Sequence, residues 1–281
     1  MKKPIIIFLI FLFHHYSFTG VFNMNSKKYA LRGTLFYREG FGKDFFKKID
    51  LKSKKIETID SNGKSIWITK RGEVVRIDDI INFVKELNKK GKKIKFVTNV
   101  SSKLNYVGLW NTEENLKFFI EIYDLKSKRM LFRYNTPKWF SLPLVSFSSD
   151  ENFCVYASNR GVFLYDFASR ETKKIVEDGK TVVLSPDNSK IAVINIVKEA
   201  FEEMVRIIDI NSGREERRFL VKKQIFQIFW PEQNENIIFF TTKYDPKGAG
   251  MDIWVYYYNL NKARKIIKGV IRGEILGYSE E

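Results

Sequence analysis

The chain has 281 residues, of which 44% are apolar and 15% aromatic, which excludes a disordered chain and leaves material for a sizeable core. Lys and Arg outnumber Asp and Glu by 49 to 33, a formal charge of +16. Such an excess is compatible with an anionic surface as partner, but a chain rich in Lys, Ile, Asn, Phe and Tyr together is also what an AT-rich genome encodes, and that compositional origin is the simpler account.

The first segment reads as a targeting signal. Lys2 and Lys3 precede an apolar run from Pro4 to Phe13, too short to span a bilayer and the right length for a signal-peptide core. Ser17, Thr19 and Gly20 supply small residues for cleavage, though loosely enough that an uncleaved anchor stays open. Residues 1–20 are therefore assigned to a signal peptide, and 21–281 to one exported domain, periplasmic or extracellular. The membrane enters only through this N-terminal segment.

Beyond it the chain is a succession of short β-like runs. Tyr29 to Arg38, Phe45 to Leu51 and Lys55 to Ile59 carry aromatic and β-branched residues. A hairpin pattern then recurs: a strand, an acidic or amide residue followed by an apolar one, a short Lys/Ser/Gly turn, and a basic strand. Its apolar anchors are Leu51, Leu87, Leu125, Phe167, Ile210 and Leu260, spaced roughly 42 residues apart on average. A second marker, a turn between two apolar strands, reads Ser148-Ser149-Asp150, Ser185-Pro186-Asp187 and Trp230-Pro231-Glu232. Asn62-Gly63-Lys64 and Ser101-Ser102-Lys103 are fainter versions.

One stretch has two readings. Ile80, Ile81, Phe83, Val84 and Leu87 fit a helix, with Asp78 or Asp79 as N-cap and Gly91 as C-cap. Alignment with the other hairpins favours a hairpin there instead. Val197 to Met204 reads as a short helical insert in a loop.

The most complete repeat runs from Val182 to Leu220, strand–turn–strand–strand–turn–strand. The end of the chain, Ile275 to Glu281, is like the first strand and turn of that unit, and the Tyr29 segment is like a unit lacking its first strand. The two ends are expected to complete one blade. The fold expected is thus all-β: a six-bladed β-propeller of four-stranded blades, its ring closed by pairing the C-terminal strand with the N-terminal blade.

Ser185-Pro186-Asp187-Asn188 followed by Ile191-Ala192-Val193 resembles the S-P-D-G repeat of TolB-type propellers, and Asp252-Ile253-Trp254-Val255 is similar to their D-I-W/Y-V third strand. Asn188 stands where the family has Gly, and most units lack the Pro. The resemblance covers residues 29 to 281 and implies an exported propeller that binds a protein or peptide. It assigns no binding residue.

Chemistry is sparse. His14 and His15, the only histidines, lie in the N-terminal segment, which removes Ser-His-Asp, Cys-His and His-containing zinc centres from the rest of the chain. Cys154, the single cysteine, forms no internal disulfide and reads as a buried thiol between Phe153 and Val155. No phosphate-cradling Gly-rich loop and no clustered Asp calcium loop is present, so no cofactor or metal is expected. Asp150, Asp187 and Asp252 are the carboxylates by which an alternative enzyme, a glycosidase or lyase acting on glycans, would work; turn capping explains them better.

Two surfaces remain. The turns between third and fourth strands carry Lys52, Lys54, Lys89, Lys90, Lys92, Lys126, Lys128, Arg129, Arg170, Lys173, Arg214, Lys262 and Arg264, a basic ring on one face of the disc. The opposite face carries longer loops with Phe41, Trp139, Phe201 and Tyr244, the candidate binding residues for a protein partner. A non-enzymatic monomer is the expectation, and nucleic acid is not an expected partner of an exported chain.

Overall fold

A computed structural model describes residues 31–39, 45–59, 66–112, 118–136, 142–197, 202–243, 250–271 and 273–280. Arg32–Glu281 form one compact unit. In chain order its first elements are β1 (Thr34–Glu39), β2 (Phe45–Asp50), β3 (Ile56–Thr58), β4 (Ile66–Ile68), β5 (Val74–Arg76) and helix α1 (Asp78–Lys89). Then come β6 (Ile94–Val100), β7 (Tyr106–Thr112), β8 (Phe118–Asp124) and β9 (Arg129–Asn135). They are followed by β10 (Val145–Phe147), β11 (Phe153–Ser158), β12 (Gly161–Asp166) and β13 (Thr172–Val176). β14 (Thr181–Leu184), β15 (Lys190–Val197), β16 (Glu202–Asp209) and β17 (Glu215–Val221) follow. The last are β18 (Ile225–Phe229), β19 (Ile237–Lys243), β20 (Met251–Tyr257), β21 (Lys262–Ile271) and β22 (Gly273–Ser279).

These strands build five antiparallel four-stranded blades. In spatial order blade 1 is β22-β1-β2-β3, blade 3 is β6 to β9, blade 4 is β10 to β13, blade 5 is β14 to β17 and blade 6 is β18 to β21. Between blades 1 and 3, sector 2 holds, among the described residues, the hairpin β4-β5 and α1. The expectation of six four-stranded blades is corrected to five.

The reason is local. Ile80 and Phe83 bury one stripe of α1, Asp78 and Asp79 lie in its first turn, and Lys89 lies in its last. Gly91, at φ +89°, ends it in a Schellman motif: Gly91 N–H donates to the Asn88 carbonyl and Lys92 N–H to that of Leu87. The helical reading of this stretch was the physically correct one, and alignment with the hairpins misplaced Leu87. Ile77, rather than either Asp, is the N-cap residue. Glu202 and Glu203 likewise belong to strand β16, and no helix covers them.

Ring closure holds as expected. β1 pairs with β22 from Thr34↔Ser279 to Glu39↔Gly273, so blade 1 takes its innermost strand from the far end of the chain. The blades are cemented face to face. Phe46 and Leu276 of blade 1, Trp67 and Phe83 of sector 2, and Val107 and Tyr123 of blade 3 share one buried cluster. Ile120, Phe147 and Cys154 join blades 3 and 4; Val155, Val162, Leu184 and Val193 join blades 4 and 5; Val183, Ile207, Ile228 and Phe240 join blades 5 and 6. Phe239 packs against Tyr278 with ring centroids 5.4 Å apart and planes tilted by 51°, and closes the circle between blades 6 and 1. Cys154 is fully buried, and burial pushes its thiol pKa well up, as expected of an inert thiol.

Candidate functional site

Two families of turns meet on one face of the disc. The outer turns repeat a single device. Asp50, Asp124, Asp166 and Asp209 each end a third strand and accept the backbone N–H of Ser53, Ser127, Ser169 and Ser212. The following residue, Lys54, Lys128, Arg170 or Gly213, takes positive φ. These hydrogen bonds hold the Asp50, Asp166 and Asp209 carboxyls below the usual range, the bonds from Ser53, Ser169 and Ser212 contributing most. In blade 6 the equivalent turn is Tyr257–Asn261, with positive φ at Asn261 and Tyr258 as the anchor, two residues ahead of the expected Leu260.

The inner turns are the S-x-x units. Leu104, Glu151 and Asn188 take positive φ, each donating its N–H to the carbonyl of Ser101, Ser148 or Ser185. Sector 2 has the same turn at Thr69–Glu73, where Gly72 N–H donates to the Thr69 carbonyl. The sequence reading missed it; an apolar Ile66-Trp67-Ile68 run before Thr69 and a Gly at the left-handed position were the available signals. The weaker candidate Asn62-Gly63-Lys64 lies outside the described residues. Outer and inner turns share a face because Leu51, Leu125, Phe167, Ile210 and Tyr258 donate N–H to the carbonyls of Gly33, Asn105, Asn152, Ser189 and Asn236.

The inner turns of neighbouring blades are laced together at most junctions. Glu151 accepts from Lys103 N–H and from Asn105 Nδ2, the latter at 2.7 Å, tying blade 3 to blade 4. Asn188 Nδ2 donates to Ser149 Oγ at 2.9 Å, while Asn188 Oδ1 accepts Ser149 N–H at 3.1 Å, tying blade 4 to blade 5. The Asn that replaces Gly thus both tolerates positive φ and staples two blades. Gln233 accepts Glu280 N–H at 2.8 Å, and Tyr278 N–H donates to the Lys70 carbonyl at 3.1 Å, tying blade 6 to blade 1 and blade 1 to sector 2.

At the junction of blades 5 and 6 there is instead a cleft of about 110 Å³. It is lined by Asp187 and Lys190 of blade 5 and by Trp230, Glu235, Asn236 and Tyr258 of blade 6. Tyr258 is held in place by its hydroxyl, which donates to Glu216 at 2.5 Å, and by the Arg217 guanidinium 4.8 Å over its ring. Burial raises the Tyr258 pKa and the Glu216 bond raises it further, so the phenol stays protonated. The mouth is mixed: an aromatic wall, an ammonium, two carboxylates and an amide.

The axis of the disc is crossed rather than open. Glu232 of blade 6 accepts from Arg71 Nε of sector 2 at 2.7 Å and from Ser102 Oγ of blade 3 at 2.9 Å. Lys70 Nζ reaches Ser146 Oγ of blade 4 at 3.0 Å. Toward the other face, Leu142 bridges in parallel to Gln227 of β18, with its N–H on the Phe226 carbonyl at 2.8 Å and its carbonyl accepting Ile228 N–H at 2.9 Å.

The three carboxylates weighed for catalysis have structural partners. Asp150 accepts from Asn152 N–H and Nδ2; burial would raise its pKa, but hydrogen bonds from Ser148 and Asn152 outweigh that and hold it low. Asp187 is opposed by burial in the same way and is held low by Ser185 and Ser189. Asp252 is fully buried between Lys265 at 3.1 Å and Lys223 at 3.5 Å. A glycosidase acid needs a raised pKa, the opposite of what the bonds on Asp150 and Asp187 produce. The binding candidates Phe41, Trp139, Phe201 and Tyr244 lie outside the described residues. Of the basic ring, Lys54, Lys128 and Arg170 are in the shared turns, whereas Lys92 is committed to buried Glu121 at 2.8 Å and Lys89 ends α1.

Among the described residues no helix is long and apolar enough to cross a membrane. No family model matches the sequence, and no curated protein matches it. Similarity to solved structures is therefore structural. A protein assigned as TolB from Agrobacterium tumefaciens superposes with a TM-score of 0.53 at 9% identity, covering 86% of this chain and 93% of that one. The chain also resembles, at TM-scores of 0.46 and 0.44, the hydrazine synthase of Kuenenia stuttgartiensis and the β-propeller domain of the Trilobed protease from Pyrococcus furiosus. Identities there are 13% and 14%, with 79% and 64% of this chain covered; it spans only 59% and 58% of those two chains. The protein is a β-propeller. Its fold is TolB-like, with five four-stranded blades and, among the described residues, a hairpin and a helix in the remaining sector.

Proposed function

We propose that this chain is an exported, non-enzymatic propeller that holds a protein or peptide partner in the cell envelope. The observation that carries the reading is the cleft between blades 5 and 6. Where most junctions on that face are laced by bonds between inner turns, this one offers Lys190, Asn236 and Tyr258 around a concave mouth. Such a mixture of aromatic wall and amide groups suits a peptide chain, whose backbone needs donors and acceptors and whose side chains need apolar contact. Export rests on the Lys2-Lys3 pair and the apolar run from Pro4 to Phe13. The aromatics Phe41, Trp139, Phe201 and Tyr244 are a second set of candidate binding residues for the same partner.

The test is affinity capture from envelope extract with wild type, a Lys190→Ala/Asn236→Ala double variant, and Trp139→Ala. Loss of a captured protein with the double variant supports the cleft, and loss with Trp139→Ala supports the loop face. Capture of nothing by wild type, or equal recovery by all three, overturns the reading.

A further inference from the structure

The axial mouth on the turn face contains a carboxylate that behaves like a ligand. Glu232 belongs to the longest of the inner turns, Trp230 to Asn236, and projects away from its own blade. Its side chain is 7% exposed although it lies at the surface end of the axis. One oxygen accepts from Arg71 Nε, which comes from sector 2, and the other accepts from Ser102 Oγ, which comes from blade 3. Neither partner is in a neighbouring blade. No main-chain pairing requires this reach, and the Arg71 side chain remains 54% exposed.

Behind the carboxylate is a second cation. Lys70 is adjacent to Arg71 in the chain, and its ammonium points inward to Ser146 at 3.0 Å. A small cavity of about 20 Å³, room for one water by the usual ~10–15 Å³ requirement, is bordered by Lys70, Thr69, Asn99, Ser102 and Phe147. Burial lowers the Lys70 pKa and the charge of Glu232 offsets part of that, so the two groups feel each other across the mouth. An ammonium has three donors, and the hydroxyl of Ser146 satisfies one. The arrangement is one cation and a hydroxyl holding a single carboxylate supplied from across the ring, with a second cation turned inward behind them.

We propose that this mouth is a receptor for a carboxylate of the partner peptide, and that Glu232 is its built-in competitor. An incoming carboxylate takes Arg71 and Ser102, Glu232 swings out with its turn, and Lys70 lies one layer deeper as the second cation. The same turn lines the cleft between blades 5 and 6 through Trp230, Glu235 and Asn236, so one segment serves both surfaces. This inference takes the peptide class of partner from the function proposed above, but its test needs no native partner.

The test uses fluorescein-labelled hexaglutamate, with free and with amidated C-terminus, and hexalysine as control, by fluorescence anisotropy on the full chain. Glu232→Gln keeps the side-chain shape and removes the competing charge; Glu171→Gln makes the same charge change at an exposed position of blade 4, outside both surfaces. Hexaglutamate is expected to bind Glu232→Gln about tenfold tighter than either wild type or Glu171→Gln. Adding Arg71→Ala or Lys70→Met to Glu232→Gln is expected to cancel that gain. A gain confined to the free-C-terminus peptide assigns the site to a terminal carboxylate, and a gain with both assigns it to acidic side chains. Equal affinity in Glu232→Gln and Glu171→Gln, or a gain retained without Arg71 and Lys70, overturns the proposal. Capture of an envelope partner that is indifferent to Glu232→Gln leaves the function standing and removes the carboxylate site alone.

Discussion

The buried pair Lys180–Glu203 makes a sharp stability prediction. Both side chains are about 95% removed from solvent, at 4% and 5% exposure. Glu203 accepts from Lys180 Nζ and from Ile225 N–H at 2.7 Å, and Lys180 also donates to the Ile225 carbonyl at 3.0 Å. Glu203 is on β16 and Ile225 opens β18, so the pair fastens blade 5 to blade 6 at the end of the strands away from the cleft. Lys180→Met strands a carboxylate with a single amide for company. Removing one partner of a buried pair costs about 3–5 kcal/mol. For a chain of this size each kcal/mol moves the midpoint by roughly 2–4 °C, so a fall of about 6–20 °C is expected in thermal unfolding at neutral pH. The double variant Lys180→Met/Glu203→Leu removes both charges and, with them, only their hydrogen bonds to the Ile225 main chain. It is expected to be more stable than Lys180→Met alone. Glu203→Gln adds a pH signature. Burial holds the folded Lys180 pKa below its unfolded value, and loss of Glu203 removes what opposes that shift. The unfolded chain then binds the extra proton, so stability rises with pH, and the cost of Glu203→Gln shrinks toward about pH 10 while that of Lys180→Met does not. Single variants costing under about 1 kcal/mol, additive in the double variant, would refute the reasoning.

Other expectations follow from the turns and the closure. Gly277→Ala would place a Cβ 2.2 Å from the Thr69 carbonyl oxygen, where backbone cannot yield, whereas Gly213→Ala meets nothing within 4 Å and faces only an unfavourable φ of +68°. Gly277→Ala should therefore lower the thermal midpoint more than Gly213→Ala; equal losses would contradict the packing of β22 on sector 2. The carboxyls of Asp166 and Asp209 are held below the unfolded value of 3.8, so their contribution is present above that pH and lost as pH falls through the lower folded values. An Asp166→Asn/Asp209→Asn variant should show a shallower loss of thermal midpoint between about pH 5 and about pH 2, and an unchanged slope would deny the capping role. Cys154 should resist a thiol reagent in the native protein and react as the protein unfolds, with coincident midpoints by reagent and by circular dichroism; rapid native labelling would contradict its burial.

What was legible in the sequence was the chemistry that acts within a few residues. Asp166-Phe167-Ala168-Ser169 and Asp209-Ile210-Asn211-Ser212 announce their turns because the Asp side chain and the Ser amide that bonds it are three residues apart. Ile275 to Ser279 could be matched to Val182 to Ser185 because both carry the same strand-to-turn pattern. In blade 6 no Asp marks the turn, and the anchor slid from Tyr258 to Leu260. Sector 2 failed differently. The i, i+3, i+4 spacing of Ile80, Phe83 and Val84 and the Gly91 stop specify a helix, and the assumption of a perfect repeat overrode it. The bonds across the axis left no trace in the sequence. Lys70 and Ser146 are 76 residues apart and Arg71 and Glu232 are 161 apart, and only closure of the ring brings them together.

Closure is therefore the claim on which both the fold and the axial site rest, and a cross-link measures it directly. Thr34 and Ser279 are Cα partners at the end of the β1–β22 ladder, and Cys154 is too deeply buried to compete. In a Thr34→Cys/Ser279→Cys variant, mild oxidation of the native protein should join the two ends, giving a monomeric species of altered mobility on a denaturing, non-reducing gel. Reduction should restore the original mobility. Failure to cross-link in the native state, with the thiols reactive and the protein folded, would show that the two ends do not share a sheet.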